Sequence, residues 1–265
     1  MKNLNAQPTK KYEYFKTFVI GLSLLLSPIV YAGESFTINT TMAYSTGSYI
    51  YDAPIRDYVM YMGASYSKNR FSISASLPMV IQRDNRTAPD NSAGQTTTMS
   101  DPAYTAGISD LYLYSEYEFY QGENYFPRIF ITGQIKIPTS SGSGLFSSGK
   151  FDYGIGLAFR KMYGTYKVFG DVGYLALGDP QGLDYTNPVS YGIGIGKHAS
   201  HGRSSVTFYY QEYSAIINGL TPPRQLTAGY YRAITDVLGI SFYGSRGFGE
   251  SSPEYTFAVG FDLKI

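Results

Sequence analysis

The stretch Tyr255-Thr256-Phe257-Ala258-Val259-Gly260-Phe261-Asp262-Leu263-Lys264-Ile265 ends the chain and decides its fold. One set of alternate residues is Tyr255, Phe257, Val259, Phe261, Leu263 and Ile265; the other is Thr256, Ala258, Gly260, Asp262 and Lys264. A period of two marks a strand with one apolar face and one polar or small-residue face. The run follows a Ser251-Ser252-Pro253 turn and outlasts an ordinary strand of about five or six residues. About ten tilted residues are what a strand needs to cross a bilayer. The stretch therefore reads as the closing strand of a transmembrane barrel.

Eleven more segments alternate in the same way, at 35–46, 57–67, 70–81, 104–119, 128–138, 150–160, 165–177, 188–198, 203–214, 224–234 and 237–246. None carries a helical period. Tight turns at Ser67–Arg70, Met162–Gly164, Ala199–Gly202 and Thr235-Asp236 alternate with longer links such as Gln82–Ala103 and Thr139–Gly149. Short periplasmic turns and long outer loops are the habit of outer-membrane barrels. The last residues also resemble the C-terminal assembly signal of that class, with apolar Leu263 and Ile265 following Gly260. The expectation is all-β: a transmembrane antiparallel β-barrel of twelve strands in the outer membrane of a Gram-negative bacterium. Membrane lipid and the barrel-assembly machinery, engaged through the C-terminal strand, are its expected partners.

Parity sets the faces. Phe71, Ile73, Ala75, Leu77, Met79 and Ile81 are read as facing lipid, with Ser72, Ser74 and Ser76 opposite. Ile129, Ile131, Ile135 and Ile137 face out against Arg128, Thr132, Gln134 and Lys136. Charges can line the inside of such a barrel only if the outside is lipid. Trp is absent, so Tyr44, Tyr58, Tyr66, Tyr117, Tyr174 and Tyr255 are the expected interfacial girdle.

Composition narrows the function. The chain has no Cys and a net charge of +1, which leaves no disulfide or thiolate metal site and no electrostatic case for nucleic acid. No cofactor is expected. At the N-terminus, Lys10, Lys11 and Lys16 precede an apolar run from Phe18 to Val30 that ends at Tyr31-Ala32. This pattern predicts a signal peptide over residues 1–32, leaving one barrel domain over 33–265.

Gly192-Ile193-Gly194-Ile195-Gly196-Lys197 has its glycines at alternate strand positions and no helix start behind it. A phosphate-binding loop needs that helix, so the stretch reads as bare lumen wall, as do Gly154 and Gly156. His198 and His201 fall at a periplasmic turn. A barrel hydrolase would need its His beside a Ser in the outer leaflet, and an enzyme is not expected. Mirroring hairpins about their turns sets Asp110 near Lys136 and Lys136 near Asp152. The same construction sets Asp171 between Gly154 and Gly194. These six residues are the expected solute path: a charged belt, which would also stiffen the barrel, beside a glycine-widened wall. The loop Gln82–Ala103 is a candidate constriction.

The motifs Gly107-Ile108-Ser109-Asp110-Leu111, Lys136-Ile137-Pro138-Thr139, Gly149-Lys150-Phe151-Asp152-Tyr153-Gly154 and Gly170-Asp171-Val172-Gly173-Tyr174 resemble the "MetA-pathway of phenol degradation" family. The resemblance implies an outer-membrane transporter, distantly similar to fatty-acid and aromatic-hydrocarbon channels. A passive channel for small, hydrophobic or aromatic molecules is thus one expected function. A structural or adhesive barrel with a closed lumen is the other.

Overall fold

The computed structural model describes residues 34–47, 55–84, 103–123, 125–140, 146–179, 184–199 and 202–265. The predicted signal peptide and most of the 82–103 loop lie outside the described residues. Its strands are β1 (Glu34–Gly47), β2 (Ile55–Lys68), β3 (Phe71–Asp84), β4 (Ala103–Ile108), β5 (Leu111–Tyr120), β6 (Arg128–Ile137) and β7 (Asp152–Tyr163). They continue with β8 (Tyr166–Ala176), β9 (Val189–Ala199), β10 (Ser204–Tyr213), β11 (Arg224–Ala233), β12 (Leu238–Gly247) and β13 (Tyr255–Lys264). Each pairs antiparallel with its neighbours, and β1 pairs with both β2 and β13, so the sheet closes on itself. Closure removes the unpaired edges that a membrane would not tolerate. β4 and β5 lie in line on β3, which makes twelve staves.

The break within that fourth stave corrects the single strand expected at 104–119. On β3, Met79 pairs with Ile108 and Ser76 with Tyr112. Two residues of β3 therefore face three of its partner, a β-bulge. Pro78 sits opposite the bulge and has no N–H to give to the ladder, while its carbonyl accepts from Ser109 N at 2.8 Å. The extra residue turns two successive side chains, Ser109 and Asp110, into the interior, where both are buried.

The barrel is inside out relative to a soluble protein. Met42, Ile155 and Ile193 are 57%, 65% and 59% exposed on the outer wall, while Lys136, Arg160 and Lys167 are 4%, 5% and 2% exposed within. The parity readings of β3 and β6 hold along these strands, and β7 and β13 alternate in the same way. Tyr58, Tyr174 and Tyr255 stand exposed at the outer rim; Tyr117, Tyr163 and Tyr166 stand at the periplasmic one. Tight turns join β2 to β3, β7 to β8 and β11 to β12 at the periplasmic end, whereas the β5–β6 link is seven residues long. Tyr163 pairs with Tyr166, and Gly164 adopts the φ of +59° that a two-residue hairpin loop demands.

Candidate functional site: the barrel lumen

At the outer end, the charges from β5 to β7 form a clasp rather than an open belt. The Lys136 Nζ lies 2.8 Å from Asp152 Oδ2 and 3.8 Å from Asp110 Oδ2, and donates to Ser148 Oγ at 2.6 Å. Gly178 N donates to Asp152 Oδ1 at 2.9 Å, and Ser109 Oγ donates to the Phe146 carbonyl at 2.7 Å. These bonds draw the segment Phe146–Gly149 over the barrel end. The Phe146 ring lies against Gly107, where a Cβ would meet it at 2.7 Å. The expected Asp110–Lys136–Asp152 contact is therefore present, and it is buried.

Asp171 does not join them. It pairs across the ladder with Ala158 and Gly192, not with Gly154 and Gly194 as hairpin mirroring suggested. The turn centres between Gly164 and Thr165, which displaces the β7–β8 register from the expected one. The Asp171 Oδ1 accepts from Tyr209 Oη at 2.6 Å, and the Tyr209 ring stacks on Phe169 with centroids 5.6 Å apart.

The glycine wall is likewise not bare. A Cβ on Gly192 would collide with Tyr209, and one on Gly194 with Phe169. One on Gly154 would meet Gln134 Cγ at 2.5 Å and Leu175 Cδ2 at 2.7 Å. The missing side chains are places where neighbouring strands lay their own rings and chains across the wall. Register, which the sequence does not print, decides which side chain covers which glycine.

Towards the periplasm, sequence reasoning missed a second constellation. Arg128 and Arg160 are Cα partners on β6 and β7, an unfavourable pairing of like charges that each resolves with its own acid. Arg128 grips Glu118 through both carboxylate oxygens, and Arg160 grips Glu116 in the same two-pronged way. Phe130, wholly buried, lies beneath both guanidinium groups, 4.3 Å from that of Arg160 and 5.4 Å from that of Arg128. The inward parity of Glu116, Glu118 and Arg160 was the available signal.

A cavity of about 1020 Å³ is lined by Ser35, Thr37, Asn39 and Thr41 of β1, by Ser72, Ser74 and Ser76 of β3, and by Ser241 and Ser245 of β12. At its outer reach stand Gln225, Ser245 and Thr256, close to the strand ends, and at the periplasmic end stand Thr235, Lys264 and His198. His201 lies outside the described residues. Tyr61, Tyr114 and Tyr243 border the cavity, and Tyr243 packs against both buried aromatic clusters of the interior. The cavity wall on β1–β3 and β11–β13 is thus rich in hydroxyls, while Glu116, Arg128 and Arg160 line the cavity from the other side.

No family model matches the chain, and no curated protein sequence matches it. Its fold is similar to that of an outer membrane channel from Pseudomonas putida F1, with a TM-score of 0.69 over 91% of this chain and 98% of that one, at 10% identity. The transport unit of the autotransporter AIDA-I from Escherichia coli is also similar, with a TM-score of 0.52 over 98% of this chain and 99% of that one, at 10% identity. At such identity the likeness is one of fold. Together with the apolar outer wall and the closed antiparallel ring, it makes the chain a β-barrel of the Gram-negative outer membrane.

Proposed function

We propose that the protein is a passive channel for small, hydrophobic or aromatic molecules, akin to the phenol-degradation transporters whose motifs it resembles. The observation that carries this reading is the cavity of about 1020 Å³ running from the periplasmic end to Ser245 and Thr256. A solute moves along the Ser/Thr wall, exchanging hydrogen bonds with hydroxyls, and slides past the ring faces of Tyr61, Tyr114 and Tyr243. Asp110, Lys136 and Asp152 hold the Phe146 segment and so set the width of the outer mouth. Asp171, Gly154 and Gly194 shape the opposite wall through the side chains laid over them. Similarity to a protein described as an outer membrane channel supports the same direction.

The mature chain starts at Gly33 in this proposal, and its last strand is handed to the assembly machinery through Gly260, Leu263 and Ile265. A closed structural or adhesive barrel is the second reading, favoured by the buried aromatic cluster of Tyr61, Tyr112, Tyr114 and Phe146. Conductance in planar bilayers, together with uptake of phenol and toluene into proteoliposomes, separates the two. A channel passes ions and at least one aromatic solute; a sealed barrel passes neither. Intact mass of the purified protein reads the cleavage site.

A further inference from the structure

Outward side chains at the outer rim form a row on the side away from the lumen. Following the ladder around one level of the barrel, Arg246 pairs with Tyr255, Tyr255 with Thr46, Thr46 with Arg56, Arg56 with Arg83, and Arg83 with Tyr104. All six point away from the lumen, because Ser245, Thr256, Ser45, Asp57 and Gln82, next to them in sequence, point in. Three arginines and two tyrosines thus occupy one row across six adjacent strands. With strands about 4.8 Å apart, Arg246 and Arg83 are separated by about 19 Å.

The row contains no acid. Arg56 and Arg83 stand directly opposite each other, a like-charge pair that an antiparallel ladder ordinarily disfavours. Among the described residues, neither forms an ion pair, and the Arg83 Nε is buried without a hydrogen-bond partner. The rings beside them hold the guanidinium planes in place: Arg83 lies 5.6 Å from the Tyr104 centroid, and Arg246 lies 5.9 Å from that of Tyr255. Two other outward strand-end cations have acids beside them. Lys68, at the periplasmic rim, is 3.1 Å from Glu34, and Arg224 has Glu212 as its Cα partner. The basic row spans the arc from β12 to β4.

We infer that this row binds the phosphate groups of the glycolipid of the outer leaflet. A phosphate between Arg56 and Arg83 would remove their repulsion and accept from the orphaned Nε, with the fork geometry that guanidinium offers to phosphate. Tyr58, Tyr44 and Tyr104 surround the position at the depth where head groups meet acyl chains. Arg246 reaches a second phosphate farther along the arc. The lumen takes no part, so the site stands whether or not the barrel conducts.

Native mass spectrometry of the full barrel with bisphosphorylated lipid A, and with the same lipid after dephosphorylation, tests the inference. Wild-type protein retains the phosphorylated lipid and loses most of it when the phosphates are removed. Arg56→Gln combined with Arg83→Gln weakens retention about tenfold or more, since charge-assisted bonds are lost at both residues. Arg224→Gln, outside the row, leaves retention unchanged. Equal retention of both lipids by wild-type protein overturns the inference, and that arm does not depend on any variant folding. So does equal retention by wild-type protein and the double variant, or binding of inorganic phosphate as tight as that of the lipid.

Discussion

Adjacent residues on one strand experience opposite solvents, and β1 offers a clean comparison. Met42 faces out near mid-strand, paired with Val259, while Thr41 faces the cavity, paired with Gly260. Met42→Arg places a cation in hydrocarbon near the bilayer midplane and is expected to cost about 2–4 kcal/mol of barrel stability. Thr41→Arg enters a wet lumen and is expected to assemble normally, as read by heat-modifiable migration on gels after outer-membrane extraction. The opposite ranking would invert every facing assigned above. Ala258, which parity rightly turns inward, is a poorer site for the same test because it is buried among aromatic side chains. Lys136 tests the clasp. Lys136→Met leaves Asp110 and Asp152 buried without their shared cation, an expected loss of about 3–5 kcal/mol. Adding Asp110→Asn and Asp152→Asn to that chain removes the stranded charges and is expected to restore part of the stability. A triple variant no more stable in urea unfolding than Lys136→Met alone would show that the triad does not work as a charge unit.

At the scale of strands and turns, the sequence was most readable where one face meets lipid. Each twelfth of the barrel had to alternate, since a single polar side chain on the outer wall is costly, and the strand positions and facing follow from that demand. The bulge at Ser109-Asp110 was less visible. Its cause, Pro78, lies on the neighbouring strand, and only the pairing of the two reveals it. The glycine wall was misread for a related reason. Alternate glycines signal missing side-chain volume, but whether that volume is open or filled depends on what the next strand lays across it. Here Phe169 and Tyr209 fill it. Gly194→Phe is accordingly expected to displace the Phe169–Tyr209 stack and lower stability by about 1–3 kcal/mol through overpacking, with conductance little changed. A stable Gly194→Phe barrel with strongly reduced solute flux would restore the open-wall reading of β9.

For the whole molecule, the lumen is divided lengthwise. Buried ion pairs and stacked rings fill the wall from β5 to β10, while β1–β3 and β11–β13 carry many hydroxyls together with the buried Ala43, Val59, Tyr61, Val80 and Ala258. A twelve-stranded barrel lies between small barrels filled by their own side chains and wide water-filled porins, and in the proposed channel the filled wall narrows the path. Tyr243 occupies the seam. It packs against the cluster containing Tyr61 and Tyr114 and against the pair Phe169–Tyr209, while its own side borders the cavity. Its direct ladder partners, Ala258 and Gly229, are small, so neither replaces the ring. Tyr243→Ala should therefore open the path where the two clusters meet, leaving the clasp and the outer wall intact. The expected outcome is a larger single-channel conductance and faster uptake of phenol into proteoliposomes than wild type, with a modest loss of stability from the lost ring. Tyr243→Phe keeps the ring and removes only the hydroxyl, so its conductance should match wild type within error. Unchanged conductance in Tyr243→Ala, in a barrel that still assembles, would place the limiting constriction elsewhere and remove the tyrosine seam from the solute path.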